Sequence, residues 1–193
     1  MNPVWQAGVG MVLAAMVASA DEPAKAFSWA PPKVGNGMFT NDLGMLDSER
    51  QDYSTNLASY ATNRVIAAKA SAESLDEVRR VLAVALHLSP RNRKALVVTF
   101  QLGKGILPEA VVSDYSPQVL ARLLLTRGQL LEKQNGEQNV KLSRMFLELA
   151  CSMDPKNEDI VYAGEVQRLD HGSVNWAEVT DFKGKEKPDE KAP

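Results

Sequence analysis

The sequence predicts an all-α fold, built as a short stack of antiparallel helical hairpins, on three observations. Apolar residues recur at three- and four-residue spacing from Ser48 to Leu169, without the strict alternation of a half-buried strand. Residues that start and stop helices stand at the ends of these runs. The pattern also occurs twice along the chain, with matching positions 65 residues apart.

The elements follow in order. Ser48 and Gln51 have the spacing of a capping box, in which each side chain satisfies a free backbone N–H at a helix start. The run after them places Tyr53, Leu57, Ala61, Val65 and Ala68 on one face. Ser74 and Glu77 have the same spacing and open a second helix with Leu75, Val78, Leu82 and Ala85 in a stripe. Pro90 disfavours helical geometry at Ser89 and stops it there. A short helix is expected from Arg91 to Leu102, closed by Gly103 and Gly105, followed by a loop over 106–115. Ser116-Pro117 supplies an N-cap and a proline at the first helical position, starting a helix that runs to Gln134. Asn135-Gly136 turns the chain, and Leu142, Phe146, Leu149, Ala150 and Met153 share a face of the next helix, over 138–153. Asp154-Pro155 ends that helix, and 157–169 is the last one expected.

A shift of 65 residues lays Val81 on Phe146, Leu82 on Leu147, Ala85 on Ala150, Pro90 on Pro155 and Asn92 on Asn157. Two unrelated amphipathic helices readily share an apolar period, but not the small residue, the proline and the asparagine at the same offsets. One hairpin alone cannot bury its apolar face, whereas two stacked hairpins can. The segments LAVALHLSPRN (Leu82 to Asn92) and LELACSMDPKN (Leu147 to Asn157) resemble the second half of a tetratricopeptide repeat. The matching positions are Leu82, Ala85 and Pro90, then Leu147, Ala150 and Pro155. The resemblance implies two degenerate TPR-like repeats over 48–170 and a general role in partner binding.

The flanks differ from this body. Residues 1–20 carry no charged side chain, and the mostly apolar stretch Val4 to Ala20 ends at Asp21-Glu22. Ala18-Ser19-Ala20 has the small residues a signal peptidase requires at −3 and −1, which predicts a signal peptide cut after Ala20. The n-region lacks Lys and Arg, so an uncleaved anchor, a membrane tether through residues 4–20, stays open beside it. An N-terminal core helix is a third reading, although the stretch shows no polar face. Residues 21–47 read as a Pro/Gly-rich linker, and 171–193 as an extension whose charged tail from Asp181 stays disordered. Trp176 and Val179 are expected to pack back on the last helix pair.

Lys plus Arg is 22 against 24 for Asp plus Glu, giving a net charge of −2, which argues against a nucleic-acid partner. One cysteine and two histidines preclude an intrachain disulfide and leave too few residues for a four-ligand Cys/His zinc site. No cofactor or metal motif is expected. Gly103-Lys104-Gly105 lacks the spacing of a phosphate loop and follows a helix rather than a strand. Acid pairs such as Asp76-Glu77 and Glu158-Asp159 fall in first helical turns, where the helix dipole explains them. His87 and Cys151 lie in apolar stretches, with no nucleophile or base at motif spacing. Arg79, Arg80, Arg91, Arg93 and Lys94 bracket Pro90 and are a candidate basic partner patch, against the plainer reading of a solvated face.

The function expected is a non-catalytic protein–protein interaction module, an exported scaffold or assembly factor of the periplasm or cell envelope. It would display 53–68 and 118–134 to a protein or peptide partner. Two alternatives remain open: a small hydrolase-like enzyme using carboxylates or His87, and a membrane-tethered spacer. Neither the partner nor the oligomeric state is legible in the sequence.

Overall fold

The computed structural model describes residues 27–184. The apolar segment 1–20, the start of the linker and residues 185–193 lie outside the described residues, and so does most of the expected disordered tail. The described chain is all-α. Its helices are α1 (Asp47–Ala67), α2 (Ala72–Leu88), α3 (Arg93–Gly103), α4 (Pro117–Gln134), α5 (Glu137–Met153), α6 (Glu158–His171) and the short α7 (Trp176–Thr180). Among these residues, none of the helices is long and apolar enough to cross a membrane.

The caps explain the bounds. Ser71, Asn92, Ser116, Asn157 and Asn175 each accept a hydrogen bond from the backbone N–H three residues on, satisfying a donor that the first helical turn leaves free. The two expected capping boxes do not form. Ser48 and Ser74 lie inside their helices, and α1 opens after Leu46 with no side-chain cap. Glu77 points away from its own helix start. Its carboxylate accepts from Tyr60 Oη at 2.5 Å and from Arg64 Nε at 2.8 Å, tying α2 to α1. Burial, then this bond to Glu77, raises the Tyr60 phenol well above its ordinary range.

Helix α1 packs on α2 with descending pairs: Arg50 Nε donates to Leu88 O, Ser54 Oγ to Ala85 O, and Tyr60 reaches Glu77. Helices α4 and α5 pack on one another across the Asn135-Gly136 turn. They approach closely at Gly128, where an added Cβ would lie 2.4 Å from Leu147 Cδ1. Helix α3 rests on α1 and α2, and α6 on α5 and α4. Shifting α2 by 65 residues carries its bounds from 72 and 88 to 137 and 153, which are those of α5; the start of α3 at 93 likewise becomes 158, the start of α6.

The two halves meet through side chains. Tyr53 of α1 stacks on Phe146 of α5 with ring centroids 5.2 Å apart, and its hydroxyl donates to Leu123 O at 3.3 Å. Burial, then the nearby Glu49 carboxylate, push its phenol up to about 12. Arg127 of α4 is buried and bridges Glu49 of α1 and the Gly44 carbonyl.

Residues 27–46 do more than link. They carry no helix, yet Phe39, Leu43 and Met45 are buried in the core. The strap runs along α2, and Gly37 passes so close that an added Cβ would lie 3.0 Å from His87 O and 3.1 Å from Pro90 Cγ. Gly37 also has φ of +83°, a conformation that only glycine adopts without strain. Helix α7 covers α2 as well, while Trp176 Nε1 donates to Glu148 of α5 at 2.7 Å, so this segment spans both halves. Strap and C-terminal segment join where Lys33 N–H donates to Thr180 O at 2.7 Å. With covers on both sides, every residue of α2 from Val81 to Leu88 is buried. Asp181, where the expected tail begins, pairs with Arg79 at 2.9 Å.

Candidate functional site

His87 has no exposed surface, because the strap and α7 close over it. Val179 O can only accept, so Nε2 carries the proton and donates to it at 2.8 Å; Nδ1 then accepts from Met38 N–H at 3.2 Å. The rings of Phe39 and Phe182 stand edge-on to the imidazole. Burial lowers its pKa to about 4, against the pull of the Val179 carbonyl, so the ring is neutral at pH 7. Both nitrogens are engaged and neither faces a space where a substrate could sit. His87 is a clasp between the two covers of α2.

Cys151 is half-buried at the α5–α6 crossing, where its thiol donates to Ile160 O at 3.4 Å. Burial and the carboxylates of Glu165 and Glu148 raise its pKa, which disfavours the thiolate a nucleophile needs. Among the described residues, no group of three His, Cys, Asp or Glu side chains could hold a metal ion.

The five candidate basic residues do not form one patch. Arg79 is occupied by Ala30 O, Thr180 and Asp181 in the cover over α2. Arg80 pairs with Asp76 and lies 5.9 Å from the centroid of the Trp176 ring. Arg91, Arg93 and Lys94 belong to the turn before α3 and its first residues; Lys94 Nζ donates to Ser59 Oγ at 2.8 Å. The repeat positions Leu82, Ala85, Leu147 and Ala150 are buried, as their role in helix pairing requires, while Pro90 is half-buried against Gly37 and Pro155 is exposed.

The open surface lies along α1. On one side, α1 and the start of α4 frame a cleft of about 430 Å³, lined by Asn56, Tyr60, Asn63 and Arg64 with Tyr115 and Pro117. On the other, α1, α3 and the loop after it frame a groove of about 700 Å³. Its floor is polar (Gln51, Thr55, Thr62) and its wall apolar (Val97, Ile106, Leu107). The loop crosses α1 between the two. Asn63 Oδ1 accepts from Val111 N–H at 3.0 Å, and its Nδ2 donates to Val111 O at 2.9 Å. This two-way amide clamp divides the inner-helix face of 53–68 that the sequence suggested as one groove. The arrangement offers amide, hydroxyl and apolar groups for binding, with Arg64 in the cleft and Arg93, Lys94 and Glu109 on the groove.

The groove, the Asn63 clamp and the strap escaped the sequence reading, because their contacts join segments far apart with no shared period. A weak signal for the groove existed in α3, whose apolar residues occupy more than one face. No protein family, characterised protein or solved structure matches the chain.

Proposed function

We propose that the chain is a non-catalytic, TPR-like scaffold or assembly factor, exported to the cell envelope, that holds a protein or peptide partner over α1. One observation carries this reading: the 65-residue shift that matches the two sequence segments also superposes the bounds of α2 on α5 and the starts of α3 and α6. A duplicated helical pair with an open cleft on each side of the Asn63 clamp is an arrangement suited to a short extended segment, which would find polar partners in Thr55 and Gln101 and apolar contacts in Ile106 and Leu107 on one side, or Asn56 on the other. Export rests on the uncharged, apolar residues 4–20 and the small residues before Asp21.

The test places a photo-reactive amino acid at Asn56 or Gln101 of the full chain in its native host, with Lys156 as an exposed control position. A discrete adduct from the first two sites, absent at Lys156, is the expected result, with the recovered protein starting at Asp21. Adducts no different from the control, or turnover of a small molecule by the purified protein, would refute the reading. An intact Met1 would replace export by tethering.

A further inference from the structure

Helices α3 and α6 occupy equivalent places in the two halves, and each turns an apolar stripe outward. On α3 the outer face reads Arg93, Leu96, Val97, Phe100, Lys104, with Phe100 65% exposed. On α6 it reads Glu158, Val161, Tyr162, Glu165, Val166, Leu169, with Tyr162 73% and Leu169 84% exposed. Their inner faces are already used, by Ala95, Val98 and Leu102 in one and by Ile160 and Gln167 in the other.

The fold is duplicated, but the charge is inverted. The first turn of α3 holds Arg93-Lys94 where α6 holds Glu158-Asp159, and α3 contains no acidic residue at all. Acids at a helix N-terminus are favoured by its dipole and need no further reason, whereas two cations there oppose it. Among the described residues, Arg93, Lys94 and Lys104 form no ion pair, and neither do Glu158 and Asp159. Glu165 pairs only with Arg168 of its own helix.

We infer that the occupant of each face is a second copy of this chain: the outer stripe of α3 in one copy docks on the outer stripe of α6 in the next. A parallel arrangement sets Arg93 against Glu158, lays Leu96, Val97 and Phe100 along Val161, Tyr162 and Val166, and brings Lys104 to Asp170. Because the two surfaces differ, the contact is heterologous. It leaves a free α3 at one end and a free α6 at the other, so the assembly grows as a file or closes as a ring rather than stopping at a two-fold dimer. Charge complementarity selects this pairing over α3 on α3 in either direction and over a parallel α6 pair, which would set like charges together.

The experiment measures the mass of the full chain by sedimentation over a concentration series at low and high salt. The wild type is expected to form salt-sensitive oligomers. A cation-reversed variant (Arg93→Glu with Lys104→Glu) and an acid-reversed variant (Glu158→Lys with Asp170→Lys) are each expected to raise the dissociation constant by roughly tenfold or more. Mixed together, the two variants are expected to associate again, because each then supplies the face the other needs. With Cys151→Ser as background, Val97→Cys in one population and Tyr162→Cys in another are expected to form a mixed disulfide. A wild type that stays monomeric, reversed variants that associate like the wild type, or a mixture that stays dissociated would each overturn the inference. Circular dichroism identical to the wild type checks that the variants fold, and partner capture at Asn56 is read separately, so either proposal can fail alone.

Discussion

Acid should loosen this protein well before its carboxylates titrate, through His87. The folded imidazole has a pKa of about 4, against 6.5 for an ordinary histidine. The unfolded chain therefore binds a proton that the folded chain refuses, and stability falls with pH between these values. It is fully present above about pH 6.5, declines through the interval, and declines no further from this source once pH is below the folded value. From pH 7.5 to 5 the loss works out at about 2 kcal/mol, before Asp and Glu contribute much. Urea unfolding followed by circular dichroism at the two pH values measures it. His87→Gln keeps a donor for the Val179 carbonyl but removes the titration, so its midpoint should shift far less over the same range. Its stability at pH 7.5 should be lower, since Met38 N–H loses its acceptor at 3.2 Å. Parallel pH dependence in wild type and variant would refute the account of His87 as a neutral clasp.

Other outcomes follow from single contacts. Arg127→Ala strands the Glu49 carboxylate and the Gly44 carbonyl between the halves, and should cost about 3 kcal/mol in the same urea titration. Gly37→Ala forces a side chain into positive φ and against His87 O, and should cost about 1–3 kcal/mol by thermal unfolding. Gly128→Ala gains helix propensity of about 1 kcal/mol but meets Leu147 Cδ1; net destabilisation is expected, and a raised melting temperature would show that α4 and α5 are not closely fitted there. Cys151 should react with a thiol reagent more slowly than a free cysteine at pH 8, and at the free rate after unfolding.

The helices were legible because their information is local. A proline after Ser89, an asparagine three residues before a free N–H and apolar spacing along Val78, Leu82 and Ala85 act within one or two turns. The cap at Ser116 stands where the sequence places it, and the described chain is all-α as expected. The capping boxes failed for a tertiary reason: Glu77 gains more from Tyr60 and Arg64 across the helix pair than from its own helix start. Residues 27–46 look like a spacer because prolines and glycines interrupt every period, yet Phe39, Leu43 and Met45 are core residues. His87 illustrates the same limit, since its two partners lie 49 and 92 residues away and neither is a side chain. The candidate surfaces were partly readable: the cationic start of α3 stood out, but the capture of Arg79 by Thr180 and Asp181 did not, because α7 is a helix too short to announce itself.

The lid on α2 is made from both ends of the described chain, and this has a cost during synthesis. Val179 leaves the ribosome 92 residues after His87, an interval of roughly 5–20 s at ordinary elongation rates. Until then the far flank of α2 has only the strap against it, and the imidazole lacks its carbonyl. A nascent chain of this design stays pliable around α2 until α7 has been made, and locks only when that helix swings back over it.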